Sequence, residues 1–272
     1  MFAAVLLVAL QSTPVDRAIS YLAEEVAKWR RDNGCFSCHN NGDAARALYA
    51  VGRDHSETTA WLTNPSIWAT NGGDPVVSDK KLARVQFANA LLAAAPKNQK
   101  AICEAAAIVA KDQSANGAWE IDGGSPVTYG TPLATYFARG VLQACGGYTA
   151  QVDAASKFIR SVPLANVADA AVRLLENSED AAARSYLLAA QTSDGGWGQY
   201  PKTPAEPFDT ALAMLALRRG ESVERGRALL IKLQRGDGAW DGTTRPPGAQ
   251  SYAQHVSTTA WAVLALVGTA GR

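Results

Sequence analysis

Residues 186–197 read YLLAAQTSDGGW. An apolar run at helical spacing ends in Gln191, and a turn closes on Gly195, Gly196 and Trp197. The same spacing recurs as Gln113, Gly117 and Trp119, and as Gln234, Gly238 and Trp240. The apolar pairs upstream recur as well: Ile108 with Val109, Tyr186 with Leu187, and Leu229 with Leu230. Trp119 and Trp197 are 78 residues apart and Trp197 and Trp240 are 43 apart, so the first interval holds one degenerate unit, opened by Ala155, Phe158 and Ile159. Arg17, Ala18, Tyr21 and Leu22 open another, with Asn33, Gly34, Cys35 and Phe36 as its turn. Asn71, Gly72 and Gly73 mark one more. A period of about 40 residues therefore fills the chain with about six units.

Each turn leads into a second helix. The segments 43–51, 80–95, 131–145, 209–219 and 257–267 are apolar almost all round, which predicts burial. The first helices carry the charge, among them Glu24, Glu25, Lys28, Arg225 and Lys232. Inner apolar helices alternating with outer amphipathic ones predict two layers, closed as a ring or open as a solenoid. Gly allows the left-handed backbone of a helix end, Trp packs a large plane on the neighbouring unit, and Gln bonds the exposed amides of the next unit. These residues read as structural staples.

Composition narrows the function. Of 272 residues, 47% are apolar, and 26 basic residues balance 25 acidic ones to a net charge of +1. No basic stripe suggests a nucleic-acid partner, and no apolar run approaches the roughly 20 residues of a membrane span. Residues 2–10, FAAVLLVAL, resemble the apolar centre of a signal peptide over 1–12, although a basic leader is missing. The alternative is the first turns of a buried helix. Pro14 and Asp16 mark a fresh helix start. The signal reading leaves 13–272 as a single domain, periplasmic or secreted.

The segment from Tyr186 to Trp197 resembles the Gln-Trp repeat of squalene–hopene and oxidosqualene cyclases, a superfamily that includes protein prenyltransferase β subunits. The resemblance implies an all-α fold, an α/α toroid of about six helix pairs. In the bacterial cyclases a Gly-Gly-Trp repeat precedes an Asp-x-Asp-Asp motif, whose middle Asp protonates the polyene. Here Glu206, Pro207, Phe208 and Asp209 follow. Asp209 matches the last Asp, Glu206 replaces the first, and Phe208 stands at the proton donor and has no proton to give. No catalytic residue is assigned, and an active cyclase or transferase would need an acid from elsewhere. A prenyltransferase zinc site would need a later Cys, and none follows residue 150. The cyclases resemble two stacked barrels, and this chain holds helices for one.

Cys35, Phe36, Ser37, Cys38 and His39 form the Cys-x-x-Cys-His pattern of haem c attachment, in which two thiols add to the vinyl groups and His39 ligates iron. His55, His255 and Met214 are the candidate distal ligands. A Cys35–Cys38 disulfide, a zinc ion on His39 with His55, or reduced structural thiols are the alternatives. Cys103 and Cys145 read as small core residues. Glu206, Phe208, Asp209, His255 and Trp261 are candidates to line a central cavity. The expectation is an exported, non-cyclising protein that holds an apolar, isoprenoid-like molecule or a protein segment there. A haem-bearing redox protein is the alternative.

Overall fold

A computed structural model describes residues 12–72, 79–121, 130–244 and 250–270. Among them are helices and no strands. Residues 1–11 of the expected signal, Gly73, the loop expected at 122–125 and most of 244–248 lie outside the described residues.

Among the described residues, twelve α-helices alternate between two layers. The outer set is α1 (Pro14–Asn33), α3 (Ser56–Leu62), α5 (Gln99–Ala110), α7 (Thr149–Ser161), α9 (Ala181–Ala190) and α11 (Glu221–Leu233). The inner set is α2 (Ala45–Ala50), α4 (Lys80–Ala93), α6 (Gly130–Cys145), α8 (Val167–Glu176), α10 (Pro207–Leu217) and α12 (Tyr252–Gly268). A π-helical turn, Cys38–Ala44, runs directly into α2. Burial follows the sequence pattern. In α1 only the stripe Ala18, Ile19, Leu22, Glu25 and Val26 is buried, whereas α10 is buried from Pro207 through Met214. Each inner helix packs on the next, and α12 packs back on the π turn and α2, closing the ring. The expected α/α toroid of six helix pairs is therefore the fold.

The Gln-Gly-Trp turns tie three helices together. Gln113 Nε2 donates to the carbonyls of Gly117 (3.0 Å) and Gln151 (2.9 Å), the latter on α7. Gln191 Nε2 does the same to Gly195 and to Ser222 on α11, both at 2.7 Å. Each staple therefore grips carbonyls, which corrects the expectation that the glutamines bond amides: the carbonyls of the next outer helix's first turn are what face the turn. The indole N–H groups of Trp119, Trp197 and Trp240 donate back to Val109, Leu187 and Leu230 on the preceding outer helix. Their main-chain N–H groups donate to Thr135, Thr210 and Thr259 on the inner helix. All three indoles are fully buried, each worth roughly 5 kcal/mol as an upper figure from area.

The third staple closes the circle. Gln234 Nε2 donates to Gly238 O (2.8 Å) and to Pro14 O (2.7 Å) at the start of α1. Thr13 caps that helix in a box with Asp16, the helix start that Pro14 and Asp16 predict. The early units use substitutes. Phe36 stacks on Trp61 at 4.3 Å, and Asn71 clamps both the N–H and the carbonyl of Phe36. The sequence reading missed inner helix α8, whose unit has no Gly-x-Trp turn to announce it, and placed the first inner helix at Asp43, five residues after the π turn begins.

Cys103 and Cys145 are not lone core residues: they form a disulfide between α5 and α6, with Cα atoms 4.9 Å apart. A 42-residue separation carries no pairing signal in the sequence; the α5–α6 hairpin brings the two together.

The glycines supply a test. Gly238 has φ +89° and a Cβ there would sit 2.6 Å from Arg17 O, whereas Gly52, at φ +73°, has open space around it. Gly52→Ala should cost about 1–2 kcal/mol of backbone strain. Gly238→Ala should cost about 1–3 kcal/mol more because α1 must move. Urea unfolding compares the two, and equal losses would contradict the close approach.

Candidate functional site

The C-terminal ends of the inner helices frame a cavity of about 920 Å³. Its floor is made by Arg46 of α2, Asn89 of α4, Tyr136 and Phe137 of α6, and Trp261 of α12. Above them stands an apolar collar that includes Leu175, Leu215, Leu264 and Val267, and Arg218 and Arg219 border the cavity at the end of α10. Arg46 is 9% exposed. Its guanidinium lies 4.4 Å from the Trp261 ring centre and 4.7 Å from that of Phe137, a double cation–π contact.

One helical turn below Arg46 is Asp43. Its Oδ2 accepts from Gln86 Nε2 (3.0 Å) and Ser257 Oγ (2.5 Å), residues one turn below Asn89 and Trp261 on α4 and α12. Burial pushes its carboxyl above the usual carboxylate range, and the charge of Arg46 pulls partly against that. Burial likewise raises the Tyr136 hydroxyl. None of these floor groups except Trp261 was legible as a site. Arg46 and Asp43 lie among alanines in a helix that reads as core, and only the ring places them on one stripe.

The opposite, N-terminal end of the inner helices holds the region that resembles the cyclase motif. Phe208 is fully buried, its ring edge-on to Trp261 at 5.5 Å, and its N–H donates to Thr243 Oγ1 at 3.0 Å. Asp209 is buried in the first turn of α10, and Glu206 is the residue before that helix, its N–H donating to Trp197 O. His255 Nδ1 lies 3.2 Å from Trp240 O in the first turn of α12. Of the five cavity candidates, Trp261 lines the large cavity and Phe208 a smaller one of about 150 Å³. Glu206, Asp209 and His255 line neither.

Asp169 of α8 lines that smaller cavity with Phe208, and sequence reasoning missed it. Burial pushes its carboxyl up to about 6 against an opposing hydrogen bond from Asn166 Nδ2 (2.7 Å). Asn166 Oδ1 accepts in turn from the Asp169 N–H, so the pair is a reciprocal helix cap. The space is well below the few hundred Å³ of an ordinary ligand site.

The Cys-x-x-Cys-His motif forms no open site. Cys35 is half-buried and free, and no Cys35–Cys38 disulfide exists. Burial pushes the Cys38 thiol up to about 12 and the His39 imidazole down to about 3. Trp29 (4.8 Å) and Tyr252 (5.8 Å) pack edge-on against the His39 ring. A porphyrin needs both thiols and the imidazole on one accessible face, and the His39 imidazole is buried in this structure. The zinc alternative fares no better. His55 caps α3 through Thr58 N–H, and the described residues contain no cluster of three metal-binding side chains.

Comparisons with known proteins agree with the architecture. No family model matches the chain. A drimenyl diphosphate synthase of Streptantibioticus cattleyicolor is 42% identical over 62 residues, which is 21% of this chain and only 12% of that synthase. The apo type II terpene cyclase MstE from Scytonema superposes with a TM-score of 0.63 at 11% identity, covering 93% of this chain and 98% of that one. A variant of the same cyclase in complex with geranylgeranyl dihydroxybenzoate gives a TM-score of 0.60 at 12% identity, over 94% and 97%. The fold is that of the type II terpene cyclases.

Two measurements test the site chemistry. Because burial raises Asp169, folding takes up a proton there, and the native chain should lose stability as pH climbs from about 4 to about 6. Asp169→Asn should flatten that slope in urea midpoints taken across the window; an unchanged slope refutes the buried carboxyl. A thiol reagent should find Cys35 faster than Cys38 in the native chain, because burial raises the Cys38 thiol, and should find four thiols after reduction and unfolding.

Proposed function

We propose that this chain binds an apolar, isoprenoid-type molecule in the cavity at the C-terminal ends of the inner helices and does not cyclise it from α10. One observation carries the reading: a closed helical ring leaves about 920 Å³ lined by aromatic and aliphatic side chains, a volume suited to such a molecule. The motif that resembles the cyclase acid has Phe208 at the donor position, so no proton comes from that side chain. The fold shared with terpene cyclases supports the class of ligand, and a cavity recessed among the inner helices suits a small molecule better than a protein segment. Among the described residues no helix is long and apolar enough to cross a membrane. We also infer an exported protein, an inference supported by the Cys103–Cys145 disulfide, a bond of oxidising compartments.

Asp169 favours a second reading. A carboxyl that titrates near 6 beside Phe208 is a proton donor in principle, and a cyclase built on it would protonate a polyene from α8 in place of α10.

Incubation with squalene and with prenyl diphosphates, followed by product analysis, separates the two. The binding reading expects no cyclised product and saturable retention of an isoprenoid alcohol. Val267→Trp, which fills the collar, should weaken that retention at least about tenfold, as expected when a pocket loses its volume. Cyclised product abolished by Asp169→Asn would establish the second reading instead. The intact mass of the exported chain reports leader removal, the disulfide and any covalent haem together.

A further inference from the structure

We propose that the cavity floor is a binding site for a carboxylate, so that the ligand is a long apolar chain with a single anionic head seated on Arg46. This rests on the reading that the cavity holds an apolar molecule.

Arg46 is the decisive group. It is nine-tenths buried and lines the cavity, and its Nε has no hydrogen-bond partner among the described residues. A buried guanidinium donor without an acceptor is costly. Asp43 does not discharge it: no ion pair joins the two among the described residues, and the Asp43 carboxylate is held instead by Gln86 and Ser257. The rings of Phe137 and Trp261, 4.7 and 4.4 Å from the guanidinium carbon, offset its charge in part but carry no carbonyl or carboxylate oxygen for its N–H groups.

The rest of the cavity fits the same chemistry. No Asp or Glu belongs to its lining, which includes three arginines. Arg218 and Arg219 end a helix, where a cation offsets the macrodipole, so they need no ligand to explain them. Arg46 has no such explanation, since it lies deep on the floor beside Asn89 and Tyr136. Polar and aromatic groups at the bottom and aliphatic groups in the collar set the orientation, with the head down and the chain toward Leu264 and Val267. One guanidinium fork matches one carboxylate through two parallel hydrogen bonds. A diphosphate would bring more charge than this single buried cation balances.

Titration calorimetry of the full chain with farnesoic acid, farnesol, palmitic acid and farnesyl diphosphate tests the assignment. Farnesoic acid should bind about tenfold or more tightly than farnesol, as a charged hydrogen bond requires. Arg46→Met should erase that preference while farnesol still binds, with thermal melting confirming that the variant folds. Lys100→Gln, on the exposed side of outer helix α5 and outside the cavity lining, should leave the preference in place. Palmitic acid equal to farnesoic acid would support the carboxylate and point to straight-chain acids as its source, whereas weaker palmitic acid points to isoprenoid acids. Farnesol binding as tightly as farnesoic acid, or farnesyl diphosphate binding more tightly, would overturn the carboxylate site while leaving the apolar cavity standing. Binding of none of the four would overturn both.

Discussion

The ring depends on an amide that reaches two carbonyls at once. Gln113, Gln191 and Gln234 each hold their own turn and the first turn of the next outer helix. The contact requires the turn to lie almost against that helix, and only glycine permits it: a Cβ at Gly117, Gly195 or Gly238 would sit 2.5, 2.9 or 2.6 Å from a backbone oxygen. Since Gln234 reaches Pro14, 220 positions away, the same local geometry that stacks units also joins the last to the first. No special closing element is needed, because repetition at a fixed rotation returns to its start.

Closure makes the inner layer a wall. Six inner helices with a common direction bring their C-terminal ends to one mouth, and residues one turn apart fall into tiers. Asp43, Gln86 and Ser257 form one tier; Arg46, Asn89 and Trp261 form the next. In the lower tier Gln86 and Ser257 both donate to Asp43, and Gln86 Oε1 has no partner among the described residues. The upper tier holds a guanidinium against two rings, beneath an apolar collar. A buried polar floor under an apolar collar distinguishes this cavity from a simple packing void.

The two ends of the barrel differ in kind. Toward the N-terminal end Phe208 packs edge-on against Trp261, and Asn166 and Asp169 cap α8 reciprocally. At the C-terminal end there is room. The motif that resembles a cyclase acid therefore lies at the opposite end from the large cavity. The Cys-x-x-Cys-His motif belongs to neither. Its histidine and second cysteine are absorbed into the packing of the π turn, where Asn40 donates to Glu25 O and Tyr252 and Asn41 donates to Thr58.

The repeat, the two helical layers, the staples and the absence of an acid at Phe208 were all legible in the residue order. Period, glycine placement and apolar faces are local properties that each unit states for itself. Helix α8 escaped because its unit lacks the turn that marks the others. The Cys103–Cys145 bond and the cavity were decided only by tertiary structure. Arg46 shows why: within its own helix it is one cation among alanines, and its meaning comes from Trp261 and Phe137. Those residues are distant along the chain and meet it only because the ring closes.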